Sequence, residues 1–312
     1  MATLDTPKLT TMATGLRFPE GPIAMPDGSV ILVEIERQTL SRVMPDGNIE
    51  VVAKIPGGPN GAALGPDGAI YICNNGGFEF HKDDSGIRPV RQAYSYKGGS
   101  IDRVDLQSGA VKTLYTHCGD NKLCGPNDIV FDRQGGMYFS DLGKTRDRDW
   151  DRSGLYYASI DGSHIAEVAF PLITANGVGL SPDEKTVYAA ETQTGRLWAF
   201  DIESPGKIKP RAWPSPHGGW LVGGTTGFRN FDSLAVDAVG NICVATLMDG
   251  GITVIAPDRS NVDHVPMPDP YTTNICFGGA GMKTAFITLS LGGTLVSCTW
   301  PKAGLPLNFL NT

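Results

Sequence analysis

The stretch EGPIAMPDGSVILVEI, residues 20–35, contains the pattern that predicts the fold. A polar residue, Glu20, stands before a short apolar run, a Pro-Asp-Gly turn follows at 26–28, and a second apolar run ends at Ile35. Two short apolar runs rich in β-branched residues, joined by a glycine-containing turn, are typical of a pair of β-strands. Pro19 precedes Glu20, and Gly21 and Pro22 follow it, which indicates a carboxylate held in a stiff segment.

The same pattern recurs five more times, each time with a polar residue seven or eight positions before the Asp or Gly of a turn. The copies read NGAALGPDG from Asn60, NDIVFDRQG from Asn127, NGVGLSPDE from Asn176, DSLAVDAVG from Asp232 and NICFGGAGM from Asn274. Their starts lie about 50 residues apart on average, the period of a four-stranded propeller blade. The sequence therefore predicts an all-β, six-bladed β-propeller, formed as a single domain over residues 1–312 with a short lead-in over about 1–14.

Composition and charge exclude several classes of partner. The formal net charge is −7 and no basic stretch stands out, which argues against binding to nucleic acid. No apolar run approaches the roughly 20 residues that a membrane helix needs, so no membrane partner is expected. The first residues lack the basic start and apolar core of a signal peptide, and we predict a cytoplasmic protein. The sequence does not indicate an oligomeric state.

The repeated polar residue predicts a ring of side chains. Equivalent positions on successive blades meet at one end of the central channel of a propeller. The two carboxylates and four amides of this ring offer only oxygen ligands, which suit hard divalent cations better than a closed zinc site. The alternative is that each residue is an ordinary turn residue bonded to its own backbone. For Asn60, which precedes Gly61, the sequence favours that alternative or a pocket-lining amide.

Five motifs carry a resemblance to a known family. They are RFPEGP, GPNDIVFD, ANGVGLSPDEKTVYAAE, FDSLAVDAVGNICVA and TNICFGG. In this order, over about residues 15–300, they resemble the gluconolactonase family, also called the senescence marker protein or regucalcin family. The resemblance implies a central divalent metal held by Glu20, Asn127, Asn176 and Asp232. It also implies that Asn127 contacts the substrate and that Asp232 is the general base.

The predicted function is the metal-dependent opening of a lactone, either sugar-type or another small cyclic ester, by attack of water on the carbonyl. One divalent ion is expected, with Ca²⁺ favoured and Mg²⁺, Mn²⁺ or Zn²⁺ as alternatives. The same metal site could instead serve organophosphate or aryl-ester hydrolysis, or a lyase or hydratase reaction, because fold and function are separable. The second alternative is a Ca²⁺-binding propeller without catalysis.

Insertions between the repeats supply the candidates for substrate binding. Long segments at 75–99 and 143–154 break the regular spacing, and insertions on a repeat scaffold tend to gather on one face. Besides Asn127, the predicted substrate-binding residues are Asn60, His81, Arg146 and Trp150. Ordinary loop packing is the alternative for His81 and Trp150. Arg91 and Arg103 are alternatives to Arg146 as the arginine that binds substrate in sugar lactonases.

Overall fold

The computed structural model describes residues 2–311, so Met1 and Thr312, the ends of the predicted domain, lie outside the described residues. Strands dominate this part of the chain. Those of the first half are β1 (Ala2–Thr3), β2 (Thr10–Ala13), β3 (Pro19–Ala24), β4 (Val30–Glu34), β5 (Thr39–Val43), β6 (Ile49–Lys54), β7 (Pro59–Leu64), β8 (Ile70–Asn74), β9 (Phe78–Asp83), β10 (Gly86–Gln92), β11 (Ser100–Val104), β12 (Val111–Tyr115), β13 (His117–Cys118), β14 (Asn121–Lys122), β15 (Pro126–Phe131), β16 (Met137–Asp141), β17 (Ser153–Ala158) and β18 (Ile165–Leu172). Those of the second half are β19 (Ala175–Leu180), β20 (Thr186–Glu191), β21 (Arg196–Ser204), β22 (Lys207–Ile208), β23 (Trp220–Gly224), β24 (Asn230–Val236), β25 (Ile242–Leu247), β26 (Gly251–Ile255), β27 (Val262–Pro266), β28 (Thr272–Gly278), β29 (Thr284–Leu289) and β30 (Thr294–Thr299).

Six antiparallel sheets form the blades of a closed propeller. Blade 1 is β3–β6, blade 2 is β7, β8, β11 and β12, and blade 3 is β15–β18. Blade 4 is β19–β23, blade 5 is β24–β27, and blade 6 is β28–β30 completed by β2. The inner strands β3, β7, β15, β19, β24 and β28 contact one another in this order, and β28 returns to β3. The predicted six-bladed β-propeller is therefore confirmed.

The N-terminal segment differs from the predicted lead-in. Strand β2 pairs antiparallel with β30, beginning with Thr10 opposite Ser297, and so supplies the outer strand of blade 6. Strand β1 pairs in parallel with β27 of blade 5. The sequence pattern did not reveal this because β2 lies outside the repeat that marks the inner strands. The pairing joins the two ends of the chain within one sheet and leaves the ring of blades without an open gap.

The core consists of six apolar layers, each between two neighbouring blades. Strand β4 shows how the sequence produces them, because successive side chains of a strand point to opposite faces. Ile31 and Val33 pack in the layer shared with blade 2, whereas Val30 and Leu32 pack in the layer shared with blade 6. All four side chains are fully buried. A strand covered on both faces is apolar without interruption, which explains the run VILV.

The repeated Pro-Asp-Gly turns close the inner hairpins at the end of the channel away from the ring. In blade 1, Asp27 Oδ1 accepts hydrogen bonds from the amide and the hydroxyl of Ser29, at 3.0 and 2.6 Å. Gly28 adopts a φ of 84°, a conformation that glycine reaches without strain. Within residues 2–311 the helical structure is a single 3₁₀ turn, Ala280–Met282, and no helix there has the length and apolar character to cross a membrane.

Candidate metal centre

A break in the strand ladder lies at the start of every inner strand. The register between inner and second strand shifts at 20–23, 59–62, 126–129, 175–178, 231–234 and 272–274. Such bulges redirect side chains and are common beside functional sites. The equivalent residues at these breaks, which we call the ring, are Glu20, Asn60, Asn127, Asn176, Asp232 and Thr273. The ring marks the end of the channel that we call the mouth.

The ring differs from the prediction in blade 6, where Thr273 replaces Asn274. Glu20 lies four residues before Ala24, the last residue of its inner strand, which pairs with Val30. Thr273 has the same relation to Phe277, which pairs with Ala285. Strand β28 continues for one more residue before its turn, so a fixed count backwards from that turn stops one residue short of the ring. Asn274 therefore belongs to the next position along the channel.

Asn60 also differs from the turn residue that the sequence favoured. It lies within strand β7, and its side chain is 5% exposed. The glycine after it serves a close approach rather than a turn, because a Cβ on Gly61 would overlap the backbone of Asn127 in blade 3. Asn60 is consequently a buried amide of the ring, and its role in lining a substrate pocket stays a prediction.

Glu20 is fixed in place by two hydrogen bonds to one of its oxygens. Oε2 accepts from the amide of Gly21 at 2.6 Å and from Nδ2 of Asn274 in blade 6 at 2.7 Å. The side chain is 2% exposed. Burial raises the pKa of Glu20 well above its usual range, and the charge of Asp232 raises it further. Both hydrogen bonds lie on Oε2, which leaves Oε1 available for another partner.

Asp232 and the two ring amides complete the predicted ligand set. Burial raises the pKa of Asp232 to about 8, although hydrogen bonding by Asn176 and by the amide of Ser233 favours the ionised form. Asn176 donates from Nδ2 to Thr192 Oγ1 at 3.1 Å, and its Oδ1 accepts from Ser233 Oγ at 3.4 Å. Asn127 is different, since its Oδ1 is buried and has no hydrogen-bond partner.

The chemistry of this set fits a hard divalent cation. An unpartnered buried amide oxygen is costly, and the buried carboxylates Glu20 and Asp232, whose pKa values are both raised, need positive charge nearby to ionise together. A divalent cation bound among them would give the amide oxygen a partner and would lower the pKa values of the two carboxylates. Among residues 2–311 no group of three or more His, Cys, Asp and Glu side chains is suited to hold a metal. The four candidate ligands do not form such a group, because two of them, Asn127 and Asn176, are amides.

A third carboxylate in the channel, Asp128, was missed by the sequence analysis. It follows Asn127 and takes the same position as Asn274 does in blade 6. Its Oδ1 accepts from the amide of Ile129 at 3.0 Å and its Oδ2 from the amide of Val178 in blade 4 at 3.1 Å. Burial raises its pKa to about 7. The signal was the Asp of the GPNDIVFD motif, at a position where three other blades have glycine.

Buried carboxylates at the ends of second strands hold the segments that lead into the ring. Glu34 Oε2 accepts from the amide of Arg17 at 2.8 Å, and Glu191 Oε1 accepts from the amide of Ile173 at 2.8 Å. Asp141 accepts from the amides of Cys124 and Gly125, at 2.7 and 2.6 Å. These residues are visible in the sequence as the acidic ends of VILVE, MYFSD and TVYAAE. They position the backbone just before Glu20, Asn127 and Asn176.

Gly21 is expected to be irreplaceable beside Glu20. Its φ is 53°, and a Cβ there would lie 2.6 Å from the carbonyl oxygen of Asn60 and 2.7 Å from the amide nitrogen of Ala62. Gly21→Ala should therefore lower the free energy of unfolding by about 3 kcal/mol or more, measured by urea denaturation. Gly68→Ala is the matched control, because Gly68 has a φ of 76° and open space around it. It should cost only the backbone strain of about 1–2 kcal/mol. Equal losses in the two variants would contradict the close approach.

The remaining candidates for substrate binding lie on the insertions, and two of them, His81 and Arg146, have acidic partners. His81 Nε2 lies 3.0 Å from Asp83 Oδ2, with half of the His81 side chain exposed. Arg146 pairs with Asp149 at 2.6 Å and Asp151 at 2.8 Å. Trp150 is 49% exposed. The structure thus gathers Asn60 and Asn127 at the ring and places these three residues outside it, so their contact with substrate stays a prediction.

Comparison with known proteins identifies relatives over most of the chain. The family model described as the SMP-30/Gluconolactonase/LRE-like region matches residues 18–290. A protein named lactonase drp35 from Staphylococcus saprophyticus is 28% identical over 267 residues, which cover 84% of this chain and 73% of the relative. A protein named gluconolactonase from Zymomonas mobilis is 25% identical and covers 90% of this chain and 79% of its own length.

Solved structures with the same fold are more distant in sequence. A gluconolactonase from Xanthomonas campestris superimposes with a TM-score of 0.73 at 20% identity, over 95% of this chain and 90% of the other. A calcium-binding protein, regucalcin from Agrobacterium tumefaciens, superimposes with a TM-score of 0.76 at 17% identity, over the full length of both chains. At this level of identity the likeness supports the six-bladed fold and nothing finer.

Proposed function

The chain belongs to the SMP-30/Gluconolactonase/LRE-like family, and on that premise we propose that it is a divalent-metal-dependent lactonase acting on a small-molecule cyclic ester. The observation that carries the proposal is the group of buried polar side chains at the mouth of the channel. Two buried carboxylates with raised pKa values, Glu20 and Asp232, stand there with the unpartnered amide oxygen of Asn127. The names of the relatives, lactonase and gluconolactonase, support the same reaction.

The residues of the ring divide into two roles. Glu20, Asn127, Asn176 and Asp232 would hold the ion, which when bound supplies Lewis-acid polarisation of the lactone carbonyl. Glu20 is a ligand only, because its hydrogen bonds to Gly21 and Asn274 prevent it from moving. Asp232 accepts the proton of the attacking water, because it is the other carboxylate of the set and the amides of Asn127 and Asn176 cannot act as bases. Asn127 and Asn60 face the substrate with buried amides.

Calcium is the proposed ion, with Mg²⁺, Mn²⁺ and Zn²⁺ as competitors in the test. Carboxylate and amide oxygens without any cysteine or histidine match the preference of Ca²⁺. The calcium-binding description of the A. tumefaciens relative agrees with this choice. Two further expectations from the sequence, the organisation as one domain and the cytoplasmic location, stay predictions, and the closed ring of inner strands supports the first of them.

Removal of the metal should abolish lactone hydrolysis. Purified protein is assayed with glucono-δ-lactone, δ-valerolactone, a phosphotriester and an aryl ester, before and after exhaustive dialysis against chelator. We expect turnover of at least one lactone that falls to background after dialysis and returns on addition of Ca²⁺. Turnover confined to the phosphotriester or aryl ester would assign the site to that reaction. Ca²⁺ binding without turnover of any substrate would favour a propeller without catalysis.

A further inference from the structure

The hairpin β9–β10, which we call the strap, crosses from blade 2 to blade 6 beside the mouth. It leaves blade 2 directly after β8 and passes blade 1, where Lys82 Nζ forms an ion pair with Glu36. Its tip reaches blade 6, where the amide of Ile87 donates to the carbonyl of Leu291 at 2.9 Å. The tip residue Gly86 has no room for a Cβ, which would overlap the same carbonyl. The strap is thus anchored at both ends.

The base of the strap is fixed by a buried lysine of blade 3. Lys144 is 1% exposed, and its Nζ donates to Asn75 Oδ1 and to the carbonyl of Gly77, both at 3.0 Å. The same Nζ lies 3.8 Å from the centroid of the Phe78 ring, within the range of a cation–π contact. The insertion of blade 2 is therefore held to the neighbouring blade rather than left as a free loop.

Four aromatic rings form a continuous row from the strap to blade 6, and we call this row the aromatic arc. Its ring centroids are 6.3 Å apart for Phe78 and Phe80, 5.6 Å for Phe80 and Phe18, and 6.0 Å for Phe18 and Tyr271. Phe18 lies two residues before Glu20, and Tyr271 lies two residues before Thr273 of the ring. The arc therefore borders the mouth along blades 6, 1 and 2.

The arc retains accessible apolar surface close to the proposed base. Phe78, Phe80 and Tyr271 are half-buried, whereas Phe18 beneath them is buried. Burial raises the pKa of Tyr271, the charge of Asp232 raises it as well, and the charge of Arg88 on the strap lowers it. Tyr271 is thus within electrostatic range of both Asp232 and the strap. Phe18 has a φ of 58°, a strained value for a bulky residue that marks functional sites.

We propose that the aromatic arc is a subsite for an apolar alkyl or aryl portion of the lactone, so that the preferred substrates carry hydrocarbon beside the ester ring. This proposal rests on the proposed lactonase function. Ring faces and edges offer contacts to carbon–hydrogen groups and no acceptors for the several hydroxyls of a sugar lactone, which would lose hydrogen bonds to water there. An alkyl group placed against the arc would lose no hydrogen bonds to water, and its burial would be favourable.

The test compares two lactones with the same reacting ring, δ-valerolactone and δ-decalactone, which differ by a pentyl chain. We expect a kcat/KM for δ-decalactone at least about 10-fold higher. Phe80→Ala should lower this ratio at least about 5-fold through the KM of δ-decalactone. Trp213→Ala is the control, because Trp213 is 90% exposed on the loop between β22 and β23, at the end of the channel away from the mouth. It should leave the ratio unaltered.

Product binding gives a measurement that does not depend on turnover. By calorimetry with Ca²⁺ present, 5-hydroxydecanoate should bind the wild type at least about 10-fold more tightly than 5-hydroxypentanoate, and Phe80→Ala should remove that difference. Phe80→Leu serves if the alanine variant does not fold, and it should retain an intermediate preference. Metal-dependent opening of both lactones with equal kcat/KM would overturn the subsite while leaving the lactonase function intact. Failure to open either lactone or glucono-δ-lactone would instead remove the function on which it rests.

Discussion

Asp232→Asn is expected to lower kcat about 10²–10⁴-fold at saturating Ca²⁺, because the amide cannot accept the proton of the attacking water. The substitution conserves size and keeps an oxygen in the ring, so the fold should persist. In the absence of metal the variant should be at least as stable as the wild type at pH values above 8. Burial opposes the charge of Asp232, and the variant has no charge to bury. The measurements are kcat with δ-valerolactone and urea unfolding in chelator.

The sign of the stability change follows from the direction of the pKa shift. A carboxyl whose pKa is higher in the folded than in the unfolded state contributes most stability at low pH, where it is protonated, and loses it as the pH rises through the folded value. Asp132→Asn is the control in another blade, because Asp132 follows the inner strand β15 at the turn end of the channel, where it accepts from the amides of Gln134 and Gly136 at 2.9 and 3.0 Å. It should reduce stability and leave kcat near that of the wild type. If both variants kept full turnover, Asp232 would not be the base.

The fold could be predicted because the signals of each inner hairpin lie close together in the sequence. The apolar runs, the Pro-Asp-Gly turns and the polar residue before each inner strand all lie within about fifteen residues, and the two-residue period of a strand connects them. Five of the six ring residues follow from that count. For the sixth, the count gave Asn274 instead of Thr273, because the turn after β28 begins one residue later than in the other blades. No sequence signal marks the position of the bulge in β28.

What the sequence could not provide is contact between segments far apart along the chain. The strap has no counterpart in the other blades, so the repeat cannot place it, and its hydrogen bond to Leu291 joins blades 2 and 6. Asp128 is similar, since its importance comes from the amide of Val178 on another blade. Acidic residues at strand ends read locally as solvent-facing, whereas Glu34 and Asp141 are buried in the structure. Local patterns thus predict elements, and only the closed ring reveals which polar groups share a partner.

Hydrogen bonding distinguishes the buried carboxylates that can bind a metal ion from those that hold the backbone in place. Glu34 and Asp141 are surrounded by backbone amides and hydroxyls that use their oxygens, as at 2.6 Å between Ser41 Oγ and Glu34 Oε1. Glu20 keeps one oxygen without a hydrogen bond in the part of the chain that the structure describes, and it shares the mouth with Asp232 and the unpartnered Asn127 Oδ1. A carboxylate whose acceptors are already used positions the backbone, whereas one with a free oxygen can bind a cation.

Glu20→Gln is the sharpest test of that distinction, and it should weaken Ca²⁺ binding at least about 100-fold. The amide of Gly21 and Nδ2 of Asn274 both donate to Oε2, so the oxygen of a glutamine must take that side. Its NH₂ group would then face the ion, and the variant would lose both the charge and the ligand atom. The fold should be unaffected without metal, since both hydrogen bonds survive.

Calcium-dependent stabilisation measures this change directly. A Ca²⁺ concentration of 100 times the wild-type Kd should stabilise the wild type by about 2.7 kcal/mol, and a 100-fold weaker variant by only about 0.4 kcal/mol. Glu184→Gln is the matched control, since Glu184 pairs with Arg133 at 3.0 Å at the far end of the channel. It should retain the full stabilisation. Equal stabilisation of the Glu20 variant and the wild type would mean that the stiff FPEGP segment holds its carboxylate for some purpose other than a cation.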